Sequence, residues 1–342
     1  MLAMASDGAG RVDHLAWQST TVRDRPALYG VAGEGMPLLF LHGWGLAHHA
    51  YRRPLKRLVH LGCRVYAPAL PGFGGTADLP KDRLTLAGYA AWVDEFLAAV
   101  GVTEPLIVVG HSFGGGVAIQ VAHDLPERVR SLVLVNSIGG SVWSGTGSTV
   151  RKLAERPLWD WAIHFPSDLL PVPQITKVLP VVLEDALPNL IRNPAAMWRV
   201  GQVARTADLT AELEELKRRR LPVVVLWGER DRVIPKESFD ALCRAIGSEG
   251  EVVHGNHSWL LADPDAFGEV MTNVVSVASV ARTMEGKAKR RRGLLGLARG
   301  RPRLLRSLTG AKPADEADDG ATPANRTNPD EAGASAEAGE AG

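Results

Sequence analysis

The run Leu106-Ile-Val-Val-Gly110-His-Ser112-Phe-Gly114-Gly115 is where side-chain types and spacing first point to chemistry. The residues before Gly110 have the continuous apolar, β-branched character of a strand buried on both faces, and those after Ser112 read as a helix. A G-x-S-x-G between strand and helix is a tight turn that holds its serine in strained backbone and pushes the hydroxyl clear of the sheet. Gly110 and Gly114 leave room for that turn, and Gly115 and Gly116 let the helix pack closely. Ser112 is therefore the candidate nucleophile. A serine hydroxyl needs a base to take its proton. Among ten histidines the candidate is His257, because Gly255-Asn256-His257-Ser258-Trp259 follows the last apolar run and opens the final helix. His254 is the nearest rival, but it belongs to the strand end.

A third group must accept a hydrogen bond from the imidazole and stabilise the imidazolium formed during attack. Asp231, in Trp227-Gly-Glu-Arg-Asp231-Arg-Val-Ile-Pro235, follows a strand at its carboxyl end, where open α/β sheets place their chemistry. Glu229 is the alternative two residues nearer the strand. The preceding strand ends in Val135-Asn136-Ser137 and offers no carboxylate. A developing oxyanion needs preorganised N–H donors, and the loop His42-Gly43-Trp44-Gly45 is suited to present one. The amides of Trp44 and Phe113 are assigned to that role.

These groups need a scaffold that brings strand ends together. Short apolar runs at Leu38–Leu41, 64–67, Leu106–Val109, Leu132–Val135, Val223–Trp227 and Glu251–Val253 alternate with segments of helical period at 85–100, Phe113–Asp124, 237–246 and 259–280. That alternation predicts an α/β fold, a mostly parallel sheet flanked by helices. Residues 18–22 and 27–31 are expected to pair antiparallel at its edge. The alternation breaks between Gly139 and Arg220, where seven prolines and five Trp or Phe accompany helical stretches without a convincing strand. The expected organisation is a core of residues 1–138 and 221–282, a helical cap insertion at 139–220, and a tail at 283–342.

Charge separates the tail from the rest. Residues 286–306 hold nine Lys or Arg and no acid, whereas 311–342 hold eight Asp or Glu against two basic residues. With a net charge of +1 for the whole chain, residues 1–285 carry −2, which gives no basic bias towards nucleic acid. The acidic stretch lacks the apolar residues needed to fold. The basic stretch, with Leu294, Leu295, Leu297, Leu304 and Leu305, is the candidate for weak contact with an anionic membrane. No apolar run is long enough to span a bilayer, and the opening residues do not read as a signal peptide, so a cytoplasmic location is expected. Cys63 and Cys243 sit among apolar residues and are expected to be buried reduced thiols. No metal site, cofactor fingerprint or P-loop is read.

The motif set resembles the α/β-hydrolase superfamily over roughly residues 18–282, in its serine-nucleophile, esterase and lipase-like branch. The matching segments are His42-Gly-Trp-Gly, Leu70-Pro-Gly-Phe-Gly, Gly110-His-Ser-Phe-Gly-Gly, Gly228-Glu-Arg-Asp and Gly255-Asn-His. The resemblance implies the chain order Ser112, Asp231, His257 for a catalytic triad, and a cap over 139–220 lining an acyl or alcohol pocket. It implies hydrolysis of a small-molecule carboxylic ester through an acyl-enzyme on Ser112, without cofactor. Enzymes of the superfamily with an aspartate nucleophile do not fit Ser112. Two segments, His42-Gly-Trp-Gly and Leu70-Pro-Gly-Phe-Gly, resemble esterases acting on pimeloyl-carrier-protein methyl ester, from which His111 departs where a Trp is usual. Carbon–carbon bond hydrolases, lactonases and cofactor-free perhydrolases share the triad and stay open, as does a non-catalytic ligand-binding homologue.

Overall fold

The computed structural model describes residues 15–140, 142–143, 151–152 and 172–279. The main sheet has eight strands: β1 (Ala16–Val22), β2 (Arg25–Ala32), β3 (Met36–Leu41), β4 (Cys63–Pro68), β5 (Leu106–His111), β6 (Val129–Val135), β9 (Val223–Gly228) and β10 (Glu251–Val253). Between β6 and β9 the chain forms a two-stranded hairpin, β7 (Val142–Trp143) and β8 (Arg151–Lys152). The main sheet runs in the order β1-β2-β4-β3-β5-β6-β9-β10. From β4 to β10 all neighbours are parallel, while β1–β2 and β2–β4 are antiparallel, so the antiparallel pair forms one edge.

Because successive strand residues point to opposite faces, the continuous apolar runs feed two cores. Leu39, Leu41, Val108 and Leu134 pack on one face with helices α2 (Leu86–Ala99), α3 (Phe113–Asp124), α6 (Thr210–Arg218) and α7 (Lys236–Ile246). Leu38, Phe40, Ile107, Val109 and Val133 pack on the other with α1 (Arg52–His60), α8 (Trp259–Ala262) and the helix α9 at 264–279. Local chemistry sets several ends. Thr85 Oγ1 accepts the Gly88 amide to start α2, and Gly247, at φ 74°, closes α7 in the left-handed conformation. Cys63 and Cys243 are free and buried, and burial pushes their thiols up to about 12 and about 11.

Three local expectations change. The final helix, expected unbroken over 259–280, is divided at Asp263, because Pro264 disfavours helical backbone in the residue before it. Asp263 then caps the next helix by accepting the Ala266 amide at 3.1 Å; Val280 lies outside the described residues. Among the described residues of 139–220 are the hairpin β7–β8 and three helices, α4 (Val172–Arg192), α5 (Pro194–Thr206) and α6. Helix α1 has no counterpart among the helical segments read from the sequence. The segment 283–342, with its basic and acidic runs, lies outside the described residues. Among the described residues, no helix is long and apolar enough to cross a membrane.

Candidate active site

Ser112 stands between β5 and α3 with φ 53° and ψ −117°, the left-handed strain that the G-x-S-x-G turn requires. Its amide donates to Val135 O on β6 at 3.0 Å, and its carbonyl accepts from Gly115 N at 3.0 Å, which fixes the turn from both sides. The flanking glycines are there for close approach: a Cβ on Gly110 would strike Gly114 O, and one on Gly114 would strike Leu41 O. The serine itself is 6% exposed, facing a small cavity lined by Gly43, Trp44, Leu46, His111, Phe113, Ala204, Val233 and His257.

The structure brings His257 and Asp231 together. His257 Nδ1 lies 2.8 Å from Asp231 Oδ2, with side chains 5% and 0% exposed. Asp231 Oδ1 accepts the amides of Val233 and Ile234, each at 2.8 Å, which orients the carboxylate. With Nδ1–H donating to Asp231, His257 presents Nε2 as the basic atom, the tautomer needed to take a proton from a serine. The rivals pair with one another elsewhere: His254 Nδ1 is 2.7 Å from Glu229 Oε1, on side chains 73% and 44% exposed.

Asn136 was read only as the absence of a carboxylate, and it has a positive role. At φ 46° after β6, fully buried, it donates through Nδ2 to Asp231 Oδ2 at 2.5 Å. Its Oδ1 accepts from Trp259 Nε1 at 3.0 Å and Gly228 N at 3.3 Å. One amide side chain thus joins the ends of β6 and β9 to the His257 loop. The signal in the sequence was the amide at a strand end opposite the acid segment, although its partners are 92 to 123 residues away.

Trp44 and Phe113, the expected amide donors, both line the cavity beside Ser112. Phe113 is the first residue of α3, where amides have no partner within the helix. The Trp44 loop is held on several sides. His42 Nε2 accepts from Leu70 N at 2.8 Å, leaving Nδ1–H to donate to Gly43 O at 2.9 Å. Gly43 N donates to Tyr51 Oη at 3.0 Å, Tyr51 Oη lies 2.8 Å from His111 Nδ1, and His111 Nε2 donates to His257 O at 2.9 Å. Burial holds these rings neutral, with His42 pushed down to about 4 and His111 to about 3.

Helices α4 and α5 close on the same loop from above. Asp185 Oδ2 accepts the amides of Ala47 and Ala50 at 2.8 and 3.2 Å. Asn189 donates to Gly45 O at 3.1 Å and accepts from Gly74 N at 3.0 Å. The Trp44 indole donates to Met197 O at 2.9 Å, and Asp78 accepts from Asn193 at 2.7 Å and Arg199 at 3.1 Å. The serine hydroxyl and the His257 ring thus face one cavity, with Asp231 behind the ring and Trp44 and Phe113 beside the serine, and its apolar lining comes from Leu46, Phe113, Ala204 and Val233.

Known proteins resemble this chain in sequence and in fold. Residues 38–270 match the alpha/beta hydrolase family. The chain is 28% identical over 261 residues to a pimeloyl-[acyl-carrier protein] methyl ester esterase of Aeromonas hydrophila, covering 71% of this chain and 96% of the relative. It is 28% identical over 269 residues to a 2-hydroxymuconate semialdehyde hydrolase of Pseudomonas putida, covering 72% and 89%. The fold is shared with an esterase from Exiguobacterium antarcticum, at a TM-score of 0.62 and 20% identity, covering 76% of this chain and 100% of that one.

Proposed function

This chain belongs to the alpha/beta hydrolase family, and we propose that within it the protein is a cofactor-free carboxylic ester hydrolase working through an acyl-enzyme on Ser112. The observation that carries the reading is the buried His257–Asp231 pair at 2.8 Å, sharing one cavity with a serine held at positive φ. Ser112 Oγ attacks the ester carbonyl carbon while His257 Nε2 takes its proton. The carbonyl π electrons move onto oxygen, where the amides of Trp44 and Phe113 donate hydrogen bonds to the oxyanion. The C–O bond to the alcohol then breaks, and His257 returns the proton to the departing oxygen. Water repeats the sequence on the acyl-enzyme, releasing the acid and restoring Ser112.

Asp231 keeps His257 in the required tautomer, and the amides of Val233 and Ile234 with Asn136 keep Asp231 in place. The apolar lining favours an ester with a hydrocarbon acyl or alcohol group over a charged one. The test is labelling with a fluorophosphonate, together with turnover of p-nitrophenyl esters of increasing acyl length. Labelling and turnover that both disappear in Ser112→Ala, with the fold retained, are expected. Retained labelling at another serine would sink the assignment. Turnover of a carbon–carbon substrate in place of any ester would keep Ser112 and change the reaction, and turnover of lactones alone would narrow the ester to a cyclic one.

A further inference from the structure

We propose that Tyr51 and His111 are positioning residues that lock the amide-donor loop to the general-base loop through one buried relay. The inference rests on the hydrolase reading above and deepens it. Its basis is the direction of three consecutive hydrogen bonds. A backbone carbonyl only accepts, so the contact with His257 O fixes a hydrogen on His111 Nε2. A neutral imidazole with Nε2–H has a lone pair on Nδ1, so Tyr51 must donate its hydroxyl hydrogen there. That leaves a Tyr51 oxygen lone pair for the Gly43 amide. Each group makes its contact in one sense, and reversing any one breaks the next.

The relay joins two parts of the reaction that no strand or helix connects. At one end Gly43 precedes Trp44, which lines the cavity beside Ser112 and supplies one of the two amides assigned to the oxyanion. At the other the carbonyl belongs to His257 itself. Both side chains are buried, Tyr51 at 0% and His111 at 2% exposure, so water cannot substitute for a lost partner without opening the core. The loop also lies hard against the relay. A Cβ on Gly43 would come within 2.9 Å of His111 Nδ1, 3.2 Å of Tyr51 Oη and 3.3 Å of Ser112 Cβ. The residue before the nucleophile therefore sets the separation between donor loop and base, and Tyr51 extends its reach.

The test uses the full chain and p-nitrophenyl butyrate, with Tyr51→Phe, His111→Asn and the double variant. Tyr51→Phe removes the acceptor for Gly43; His111→Asn keeps a polar group near Nδ1 but cannot reach His257 O. If the relay acts as a unit, each single variant lowers kcat about tenfold or more with KM within about threefold, because the loosened groups serve the transition state. The double variant should lose little more than the worse single one. A folded Tyr51→Phe with kcat within twofold of wild type, or losses that multiply in the double variant, overturns the proposal. If Tyr51→Phe does not fold, 15N NMR of histidine-labelled wild type decides: His111 must be the Nε2–H tautomer with Nδ1 accepting, and an Nδ1–H tautomer or an imidazolium at neutral pH overturns it. If wild type neither labels with fluorophosphonate nor cleaves any ester, the hydrolase reading fails, while the tautomer of His111 still tests the relay's connectivity.

Discussion

The loop that carries Trp44 is gripped from two sides, and the grips differ in kind. From below, the sheet side holds it through His42, Tyr51 and His111, neutral and buried groups that make directed hydrogen bonds to backbone. From above, α4 and α5 hold it through Asp185, Asn189 and Met197 O, largely at part-buried contacts. Helix α4 turns Asp185 and Asn189 inward and shows aliphatic side chains outward, with Leu183 51% and Ile191 71% exposed, and Trp198 on α5 is 61% exposed. The lower grip is continuous with the core, so disturbing it disturbs bond-making geometry. The upper grip rests on a few polar anchors around an apolar lining, so disturbing it should change access to the site first.

The largest expected effect is on the lower side. Asp231→Asn should lower kcat by about 10⁴-fold with little loss of folding, because the amide no longer holds the His257 tautomer. Glu229→Gln should stay near wild type, since that carboxylate is exposed and pairs with His254. Steady-state kinetics on the pair checks both, and the opposite ranking would move the orienting acid to Glu229. Next comes Asn136→Ala, which strands the Trp259 indole and the Gly228 amide in the core and removes a donor from Asp231. A destabilisation of about 2–4 kcal/mol is expected, with a fall in kcat, read by denaturant unfolding and by turnover.

Acid should separate the two grips. Burial pushes His42 down to about 4, His48 to about 2 and His111 to about 3, from an ordinary 6.5. Between those values and 6.5 the unfolded chain binds protons that the folded chain refuses. Stability contributed by these neutral rings is therefore complete above pH 6.5 and falls as the pH drops, by up to about 1.4 kcal/mol per pH unit for each ring. Asp185 has the opposite sign: burial raises its carboxyl, so its contribution is present in acid and is lost as pH rises through its folded value. Urea midpoints measured from pH 7 to pH 4 should fall in wild type and fall less steeply in His111→Asn. The smallest effect is expected for Asp185→Ala, which removes an acceptor of the Ala47 amide and one of the two acceptors of the Ala50 amide. It should cost about 1–2 kcal/mol locally and raise KM more than it lowers kcat. A kcat loss as large as that of Asn136→Ala would show that the two grips are not distinct.

Much of the lower side was legible in the sequence because its signals are local. The strand–glycine–serine–glycine–helix order marks Ser112, and Asp231 and His257 each follow a readable strand. The supports were not legible, because each depends on partners far away in the chain. Asn136 meets Asp231 across 95 residues, and Asp185 meets Ala47 across 138, so no spacing announces either contact. His111 stands out in the sequence only as a departure from a usual Trp, since nothing nearby indicates Tyr51 sixty residues earlier. Helix α1 was missed because Arg52, Arg53, Lys56, Arg57 and Pro54 mask an apolar stripe of Leu55, Leu58 and Val59. The division at Asp263 was readable from Pro264, and the helical period on both sides outweighed it.

The two cysteines carry a practical consequence. Cys63 and Cys243 are buried thiols pushed up to about 12 and about 11, so at neutral pH neither offers appreciable thiolate to a maleimide. The native background for thiol chemistry is therefore low, and a single cysteine placed at exposed Leu183 on α4 would take one fluorophore without removing either natural residue. The helix that anchors the Trp44 loop becomes addressable, and its distance to a second dye or its local polarity can be followed while the enzyme is intact and turning over.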